Sequence, residues 1–552
     1  MNNNLENPFY YLENFRFVLA WVLARYADLL TQDEVNFVSK FSEIPIESQA
    51  LLVRMVMRRG NLFRASKLRY QEIGAVTCAV QPLMVHGWIT NDPVLTFEQL
   101  YVILTKNEFA LALQLNQDKG VKKADLLDQA KTRFIEPCRF SEWCTDLDDM
   151  LYEVDVAGLC DRIRLMFFGN LYQDWSEFVL ADLGIFIYEK VPFPEAARAF
   201  HERGDIDVCL HLHACRERLQ EGGAVAELEN EVGAVACPNP WLQNSREKLL
   251  FQIGQQYERL DDNVSALRVY TRCHYAGARL RHIRVLEKLG QLDAANTLAN
   301  IALANPESAK ESQHLARTAP RLQRKLGQKP PRIKIKMLYE QIELVLPRPQ
   351  GESVEEVARC HIESLVVPGD NAPVHYVENT LINSLFGLLC WEAIFFPVPG
   401  AFFHPFQIGP ADLHSPNFRA QRTTQFDQFL SQLSSQQYQH TIRETFFRKS
   451  GIQSPFVYWN MLSEDLLEQA LTCIPASHLE KFFARILEGI VSNRSGFPDL
   501  IQFWPRQCRY RMIEVKGPGD RLQDNQIRFL DFCAQHQVPV AVCYVEWEPE
   551  SA

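Results

Sequence analysis

Three side chains near the C-terminal end stand in a relation that could hydrolyse a phosphate ester: Asp499, Glu514 and Lys516. They lie in Gly496-Phe497-Pro498-Asp499-Leu500-Ile501 and in Arg511-Met512-Ile513-Glu514-Val515-Lys516-Gly517-Pro518. Leu500 to Trp504 and Tyr510 to Val515 read as two strands, joined by a turn around Pro505-Arg506-Gln507. Glu514 and Lys516 are two residues apart, so both project from one face of the second strand while Val515 points away. Asp499 precedes the first strand and is expected across the hairpin from them. Two carboxylates of this kind hold hard divalent cations such as Mg²⁺ or Mn²⁺, which prefer oxygen ligands. One or two such ions would polarise a phosphate and lower the pKa of a bound water. Lys516 would orient that water and offset charge developing on the phosphate. A bare Glu-x-Lys is more often a salt-bridge pair on an exposed strand. The Pro-Asp pair upstream and the elements around it make this pattern far more specific.

Those elements are well marked. Asp520 can cap a helix, with Gln523 three residues on in the manner of a capping box. Leu522, Phe529, Leu530 and Cys533 supply its apolar stripe, and Gln526 could reach back toward the site. Val538 to Val545 then reads as a buried final strand. The order strand, strand, helix, strand is the heart of a restriction-endonuclease-like α/β fold. Upstream, a helix expected from Val377 to Phe396 places Glu378, Ile382, Leu385, Leu389 and Glu392 on one face. A carboxylate buried there needs a partner, which a metal would supply. Glu378 and Glu392 both qualify on spacing.

At 552 residues the chain is too long for one hydrophobic core. Its 47% hydrophobic and 23% charged residues are ordinary for a soluble globular protein and leave no room for long disorder. A net charge of -11 argues mildly against a nucleic-acid partner, but binding needs a basic surface rather than a basic total. Two stretches free of acids supply candidates. Leu51 to Tyr70 holds Arg54, Arg58, Arg59, Arg64, Lys67 and Arg69, and the second holds Arg317, Arg321, Arg324, Lys325, Lys329, Arg332, Lys334 and Lys336. Either one alone reads as a solvated face; together they favour a surface that tracks phosphates.

The organisation expected is a multidomain chain, with largely α-helical N-terminal and middle regions before the C-terminal α/β domain. Residues 1–92 read as a helical DNA-binding domain. Residues 93–155 read as a SAP-like two-helix module, with Lys122 and Lys123 opening its second helix, then an acidic solvated helix face at 141–155. Residues 156–340 read as tetratricopeptide-like helical repeats, because Leu260-Asp261-Asp262 is echoed 29 residues later by Leu289-Gly290-Gln291. Residues 341–552 form the last domain. The 14 cysteines include no CxxC, and the closest pairs are Cys138/Cys144 and Cys209/Cys215. They read as core thiols in a reducing compartment. His211 and His213 are two apart on a helix and face different ways, so that pair reads as structural. The N-terminus has no signal-peptide pattern, and no apolar run approaches the roughly 20 residues of a membrane span. A soluble, intracellular protein is expected.

The run from Gly496 to Leu522 resembles the VRR-NUC domain of the PD-(D/E)xK superfamily, and in particular the Fanconi-anaemia-associated nuclease family. The Glu378-Asn-Thr…Ser-Leu-Phe-Gly-Leu-Leu-Cys-Trp-Glu segment is similar as well. The resemblance extends in order through Arg58 to Tyr70, the SAP-like region and the repeats. It implies that Glu378, Asp499 and Glu514 bind Mg²⁺ or Mn²⁺, with the backbone carbonyl of Val515 as a further ligand. Lys516 would be the catalytic lysine, with Asp520 and Arg521 supporting. It also implies cleavage of 5′ flaps in branched DNA, 5′-to-3′ exonuclease action and a role in interstrand-crosslink repair. Vertebrate members carry a ubiquitin-binding zinc finger. None is expected here, which fits a bacterial form acting in the cytoplasm at the nucleoid. A junction-resolving or restriction-type nuclease, or a non-catalytic DNA-binding scaffold, are the alternatives.

Overall fold

The structure, a computed structural model, describes residues 7–114, 122–131, 136–173, 186–330, 339–348, 351–365 and 371–549. The chain falls into two compact units, Met1–Ile185 with Phe200–Leu210, and Phe186–Ala199 with His211–Ala552. No helix among the described residues is long and apolar enough to cross a membrane.

The first unit opens with helices Tyr10–Tyr26, Gln32–Phe41 and Ile46–Val56, which bury Phe15, Val18, Val22, Phe41, Leu51 and Leu52. Beyond them, segments expected as helix or loop form short strands: β1 (Leu62–Arg64), β2 (Ile89–Asn91), β3 (Val94–Leu95), β4 (Cys138–Arg139) and β5 (Leu151–Val154). β5 runs antiparallel between β1 and β2, and β3 pairs with β4. The acidic 141–155 segment is therefore not a solvated helix face. Only Phe140–Trp143 is helical there, and Leu151, Tyr152 and Val154 are buried in the central strand. The expected helix pair at 93–134 is instead Phe97–Ile103, Lys106–Ala112 and Lys123–Lys131. The extra break falls at Thr105, whose hydroxyl accepts from the Glu108 N–H while the Glu108 carboxylate accepts from the Thr105 N–H. That capping box starts a new helix.

The second unit contains helices Val225–Ala234, Pro240–Arg259, Asn263–Arg272, Ala278–Lys288, Leu292–Ala304 and Ala309–Lys325, each packed on the next. The 29-residue echo is a repeated helix ending. The Asp262 N–H donates to the Tyr257 carbonyl at 3.0 Å, with Asp261 left-handed at φ 59°. In the second copy the Gln291 N–H donates to Leu286 at 3.0 Å, with Gly290 at φ 74°. A left-handed residue after the helix satisfies its last carbonyls and turns the chain back. The basic stretch is partly helix, since Arg317 to Lys325 end Ala309–Lys325; Arg332, Lys334 and Lys336 lie outside the described residues.

The C-terminal sheet contains β6 (Glu340–Leu346), β7 (Val374–Tyr376), β8 (Leu500–Trp504), β9 (Arg509–Lys516) and β10 (Val540–Trp547), in the order β6-β10-β9-β8-β7. β6, β10 and β9 are parallel, while β8 is antiparallel to both β9 and β7. The expected hairpin, helix and final strand are all present, the helix being Asp524–His536. One face carries Ile501, Phe503, Met512, Val540 and Val542 into a large core with Leu385, Phe386, Phe483 and Phe529. The other carries Leu500, Ile513, Val515, Cys543 and Val545 against Ala358 and Ile362 of helix Val354–Ser364. Apolar residues on both faces are what a sheet covered on both sides requires.

Candidate active site

Along β9 the alternation of the pleat sends Tyr510 and Met512 into the large core, and Ile513 and Val515 into the smaller one. Glu514 and Lys516 continue the Tyr510/Met512 row to the strand's C-terminal end, where the core gives way to a polar site. Lys516 Nζ lies 2.8 Å from Glu514 Oε1, and the Gln526 side-chain amide donates to the same oxygen. Across the hairpin, the Val515 N–H donates to Asp499 Oδ2 at 2.8 Å. Three residues upstream, Gly496 adopts φ 89°, and a Cβ there would meet the Asn525 backbone at 2.9 Å. Only glycine allows this approach, which brings the chain entering β8 against the helix that carries Gln526.

Glu378 joins the site from the neighbouring strand. The Val377 N–H donates to the Asp499 carbonyl at 2.8 Å, so the residue that follows lies beside Asp499. Its spacing predicts a helical position for Glu378, but the structure places it in the turn between β7 and helix Leu381–Leu389. Asn379 is left-handed at φ 52°, a conformation that a right-handed helix excludes. Its side-chain oxygen accepts from the Phe497 N–H at 3.0 Å, tying the turn to the segment before Asp499. Glu378 accepts from the Tyr376 hydroxyl at 2.6 Å and from Asn379 Nδ2 at 3.2 Å. Glu392 is a correction. It sits on the separate helix Trp391–Ile394, half-exposed, and pairs with Arg448 at 2.9 Å. The break after Leu389 removes the continuous face that spacing had assigned to it.

Burial pushes the Asp499 carboxyl up to about 6, against the Val515 N–H and Lys516, which favour its charged form; Glu378 and Glu355 raise it further. Burial also pushes Glu514 up to about 8, and Asp499 adds to that, while Lys516 opposes it. The site therefore gathers more carboxylate than its one lysine neutralises. Among the described residues no hydrogen bond engages Asp499 Oδ1 or Glu514 Oε2. Buried carboxylates with free oxygens and, among the described residues, no cation but Lys516 acting on them fit a hard divalent cation. Two contributors escaped the sequence reading. Tyr376 holds Glu378, and Glu355 faces Asp499 electrostatically from the first turn of helix Val354–Ser364. An acid in a first turn is what the helix dipole favours anywhere, so nothing in the sequence singled Glu355 out.

Asp520 does not cap the following helix. Its carboxylate accepts from the Gly517 N–H at 3.2 Å and its own N–H donates to the Gly517 carbonyl, closing a turn around left-handed Gly519. The cap is Gln523, three residues later, in a capping box with Gln526. Gln526 thus binds the Gln523 N–H with its oxygen and Glu514 with its amide nitrogen. Arg521 is exposed beside this turn.

The basic residues divide by what they touch. Arg64 is a correction: its side chain is 8% exposed, forked onto Glu108 at 2.9 Å and bonded to Asp149 at 2.8 Å. A guanidinium held by two carboxylates inside the fold is not offered to phosphates. Arg54 is half-buried between Tyr11 and Tyr70 and pairs with Glu72 at 2.7 Å. Lys123 donates to the Tyr101 and Leu104 carbonyls at the end of a helix. Arg58, Arg59, Lys67, Arg69 and Lys122 are exposed in the first unit. In the second unit Arg317 pairs with Asp524, Arg321 and Lys325 pair with Glu287, and Arg324 is exposed.

Residues 9–90 match the family model described as the FAN1 HTH domain, and residues 433–547 match the VRR-NUC domain. The chain is 52% identical over 548 residues to a Fanconi-associated nuclease 1 homolog of Pseudomonas aeruginosa, covering 98% of this chain and 97% of the relative. It is 24% identical to a homolog of Arabidopsis thaliana, covering 97% of this chain and 67% of the relative. A crystal structure of paFAN1 bound to DNA with a gap and a 2-nucleotide 5′ flap superposes with a TM-score of 0.87 at 51% identity, covering 99% of each chain. With that similarity over nearly its whole length, and with the acids and lysine gathered at one end of its sheet, the chain belongs to the Fanconi-associated nuclease family.

Proposed function

We propose that the chain cuts phosphodiester bonds at 5′ flaps in branched DNA, with 5′-to-3′ exonuclease action near branches. The observation that carries this reading is the Asp499/Glu514/Lys516 cluster, with Asp499 held by the Val515 N–H and Glu514 held by Gln526. The related structure in complex with 5′-flap DNA supports the choice of substrate. Glu378, Asp499 and Glu514 would hold one or two Mg²⁺ or Mn²⁺ ions, with the Val515 carbonyl as a further ligand. When bound, the cation supplies charge for the phosphate and acidifies a water. Lys516 orients the attacking water and offsets charge developing on the phosphate. Gln526 and Asp520 are positioning residues: the first fixes Glu514, and the second closes the turn that follows Lys516, beside Arg521.

In this reading residues 1–92 and 93–155 hold duplex DNA, 156–340 space the working parts, and 341–552 cut. The exposed cations Arg58, Arg59, Lys67, Arg69, Lys122 and Arg324 contact phosphates. The protein acts in a bacterial cytoplasm, at the nucleoid, in interstrand-crosslink repair. The test is cleavage of end-labelled 5′-flap, 3′-flap and plain duplex DNA in Mg²⁺, Mn²⁺ or chelator, by the wild type and by Lys516→Ala. Cutting confined to the 5′ flap, lost in chelator and lost in the variant with flap affinity retained, is expected. Full activity in chelator would overturn the metal mechanism, equal cutting of all three substrates would overturn the flap preference, and normal cutting by the variant would overturn the role of Lys516.

A further inference from the structure

The Cys215 thiol lies 3.7 Å from His211 Nε2 and 3.6 Å from Glu231 Oε2, and all three ligand atoms fall within 4.8 Å of one another. His211 and Cys215 are one turn apart on helix Arg203–Gln220 and so share a face. A tight turn follows, with the Gly223 N–H on the Arg218 carbonyl at 2.8 Å, and returns the chain as helix Val225–Ala234, which brings Glu231. Spacing alone directs attention to His211 and His213, which face different ways; His213 lies instead 3.5 Å from Glu217. The useful partner of His211 is a cysteine four residues on.

We propose that His211, Cys215 and Glu231 form a zinc site, with solvent as the fourth ligand. A tetrahedral centre with bonds of about 2.3 Å to sulfur and about 2.0 Å to nitrogen or oxygen separates sulfur from either neighbour by about 3.5 Å. Two edges of that tetrahedron are already at this length, and the third closes with a small rotation of an exposed histidine or a half-buried glutamate. Thiolate, imidazole and carboxylate together suit zinc, whereas the all-oxygen set at Asp499 and Glu514 suits harder cations. The geometry also allows an ion in: His211 is exposed while Cys215 is buried behind it. Arg218 holds Glu231 at 2.7 Å, and Glu227 stands 3.9 Å from the same guanidinium, ready to take it when Glu231 turns to the metal. Binding displaces the thiol proton to solvent and joins the two helices through one ion.

Cobalt substituted for zinc reports the sulfur ligand directly. The metal-free full chain titrated with Co²⁺ is expected to develop a thiolate-to-cobalt charge-transfer band that saturates at one equivalent and is displaced by Zn²⁺ but not by excess Mg²⁺. Cys215→Ser should abolish the band. His211→Gln and Glu231→Gln, which leave the buried thiol in place, should weaken cobalt binding by about tenfold or more. Zinc should also shield Cys215 from iodoacetamide, read by mass spectrometry. No band in the wild type, a band that survives Cys215→Ser, or unchanged affinity in both the His211 and Glu231 variants would overturn the site.

Discussion

The Val515 N–H donates to Asp499 Oδ2 at 2.8 Å, so the strand that carries Glu514 and Lys516 also orients the carboxylate opposite them. One backbone group therefore sets the relation between the two halves of the hairpin. Asp499→Asn keeps an oxygen for that N–H but removes the charge. It should fold with nearly wild-type thermal stability, bind Mn²⁺ much more weakly by calorimetry, and fail to cleave. Asp499→Ala leaves the N–H unsatisfied in a buried strand, which costs about 1–3 kcal/mol, so its melting temperature should fall as well. Wild-type cleavage by the Asn variant would show that the charge is not needed.

Glu378 and Glu392 look equivalent on spacing and differ in the fold. Glu378 follows a residue hydrogen-bonded to Asp499, whereas Glu392 pairs with Arg448 on another helix. Glu378→Gln should abolish or severely reduce cleavage with Mg²⁺, while Glu392→Gln should cut at near the wild-type rate and lose at most about 1 kcal/mol of stability, as for an exposed ion pair. The reverse order of damage in a steady-state assay would mean that the wrong acid has been placed in the site.

What could be read from the sequence here followed from period. The row Tyr510, Met512, Glu514, Lys516 alternates with buried Ile513 and Val515, so the strand and the shared face of its two polar residues were legible. Asn379 was not, because left-handed backbone leaves no periodic mark, and the helix expected from Val377 therefore starts late and ends early. Strands of three or four residues, such as Leu62–Arg64 and Leu151–Val154, are too short to show alternation. They pair only because distant segments meet. Arg64 illustrates a different limit. A run of cations shows its charge in the sequence, but whether one is exposed depends on Glu108 and Asp149, 44 and 85 residues away.

Arg64 should therefore behave as a residue of the fold. Its hydrogen bond holds the Glu108 carboxyl down at about 2, well below the ordinary value of 4.5. A carboxyl depressed in the folded state contributes stability that is complete above its unfolded pKa and is lost as pH falls through the folded one. The pair should stabilise the protein fully above about pH 5 and progressively less between about 4.5 and 2. Urea unfolding followed across that range should show a steeper loss in the wild type than in Glu108→Gln. At neutral pH, Arg64→Ala leaves two carboxylates without their cation and should cost on the order of 3 kcal/mol. Unchanged stability in Arg64→Ala would return this residue to the list of DNA contacts.

The exposed cations of the same stretch give the opposite expectation. Arg58, Arg59, Lys67 and Arg69 stand at the surface, and Arg58 also lies 5.4 Å over the Tyr70 ring. If they neutralise phosphates, each contact releases condensed counterions, and the plot of log affinity against log salt has a slope of about 0.7 to 0.9 per contact. Replacing Arg59 and Lys67 by Ala should flatten that slope by one to two such increments on flap DNA of any sequence, without moving the melting temperature. Cleavage at saturating DNA should hardly change, because neither side chain belongs to the Asp499/Glu514/Lys516 cluster. A slope equal to that of the wild type would remove this surface from the DNA path and leave Arg324 and Lys122 as the phosphate contacts to test.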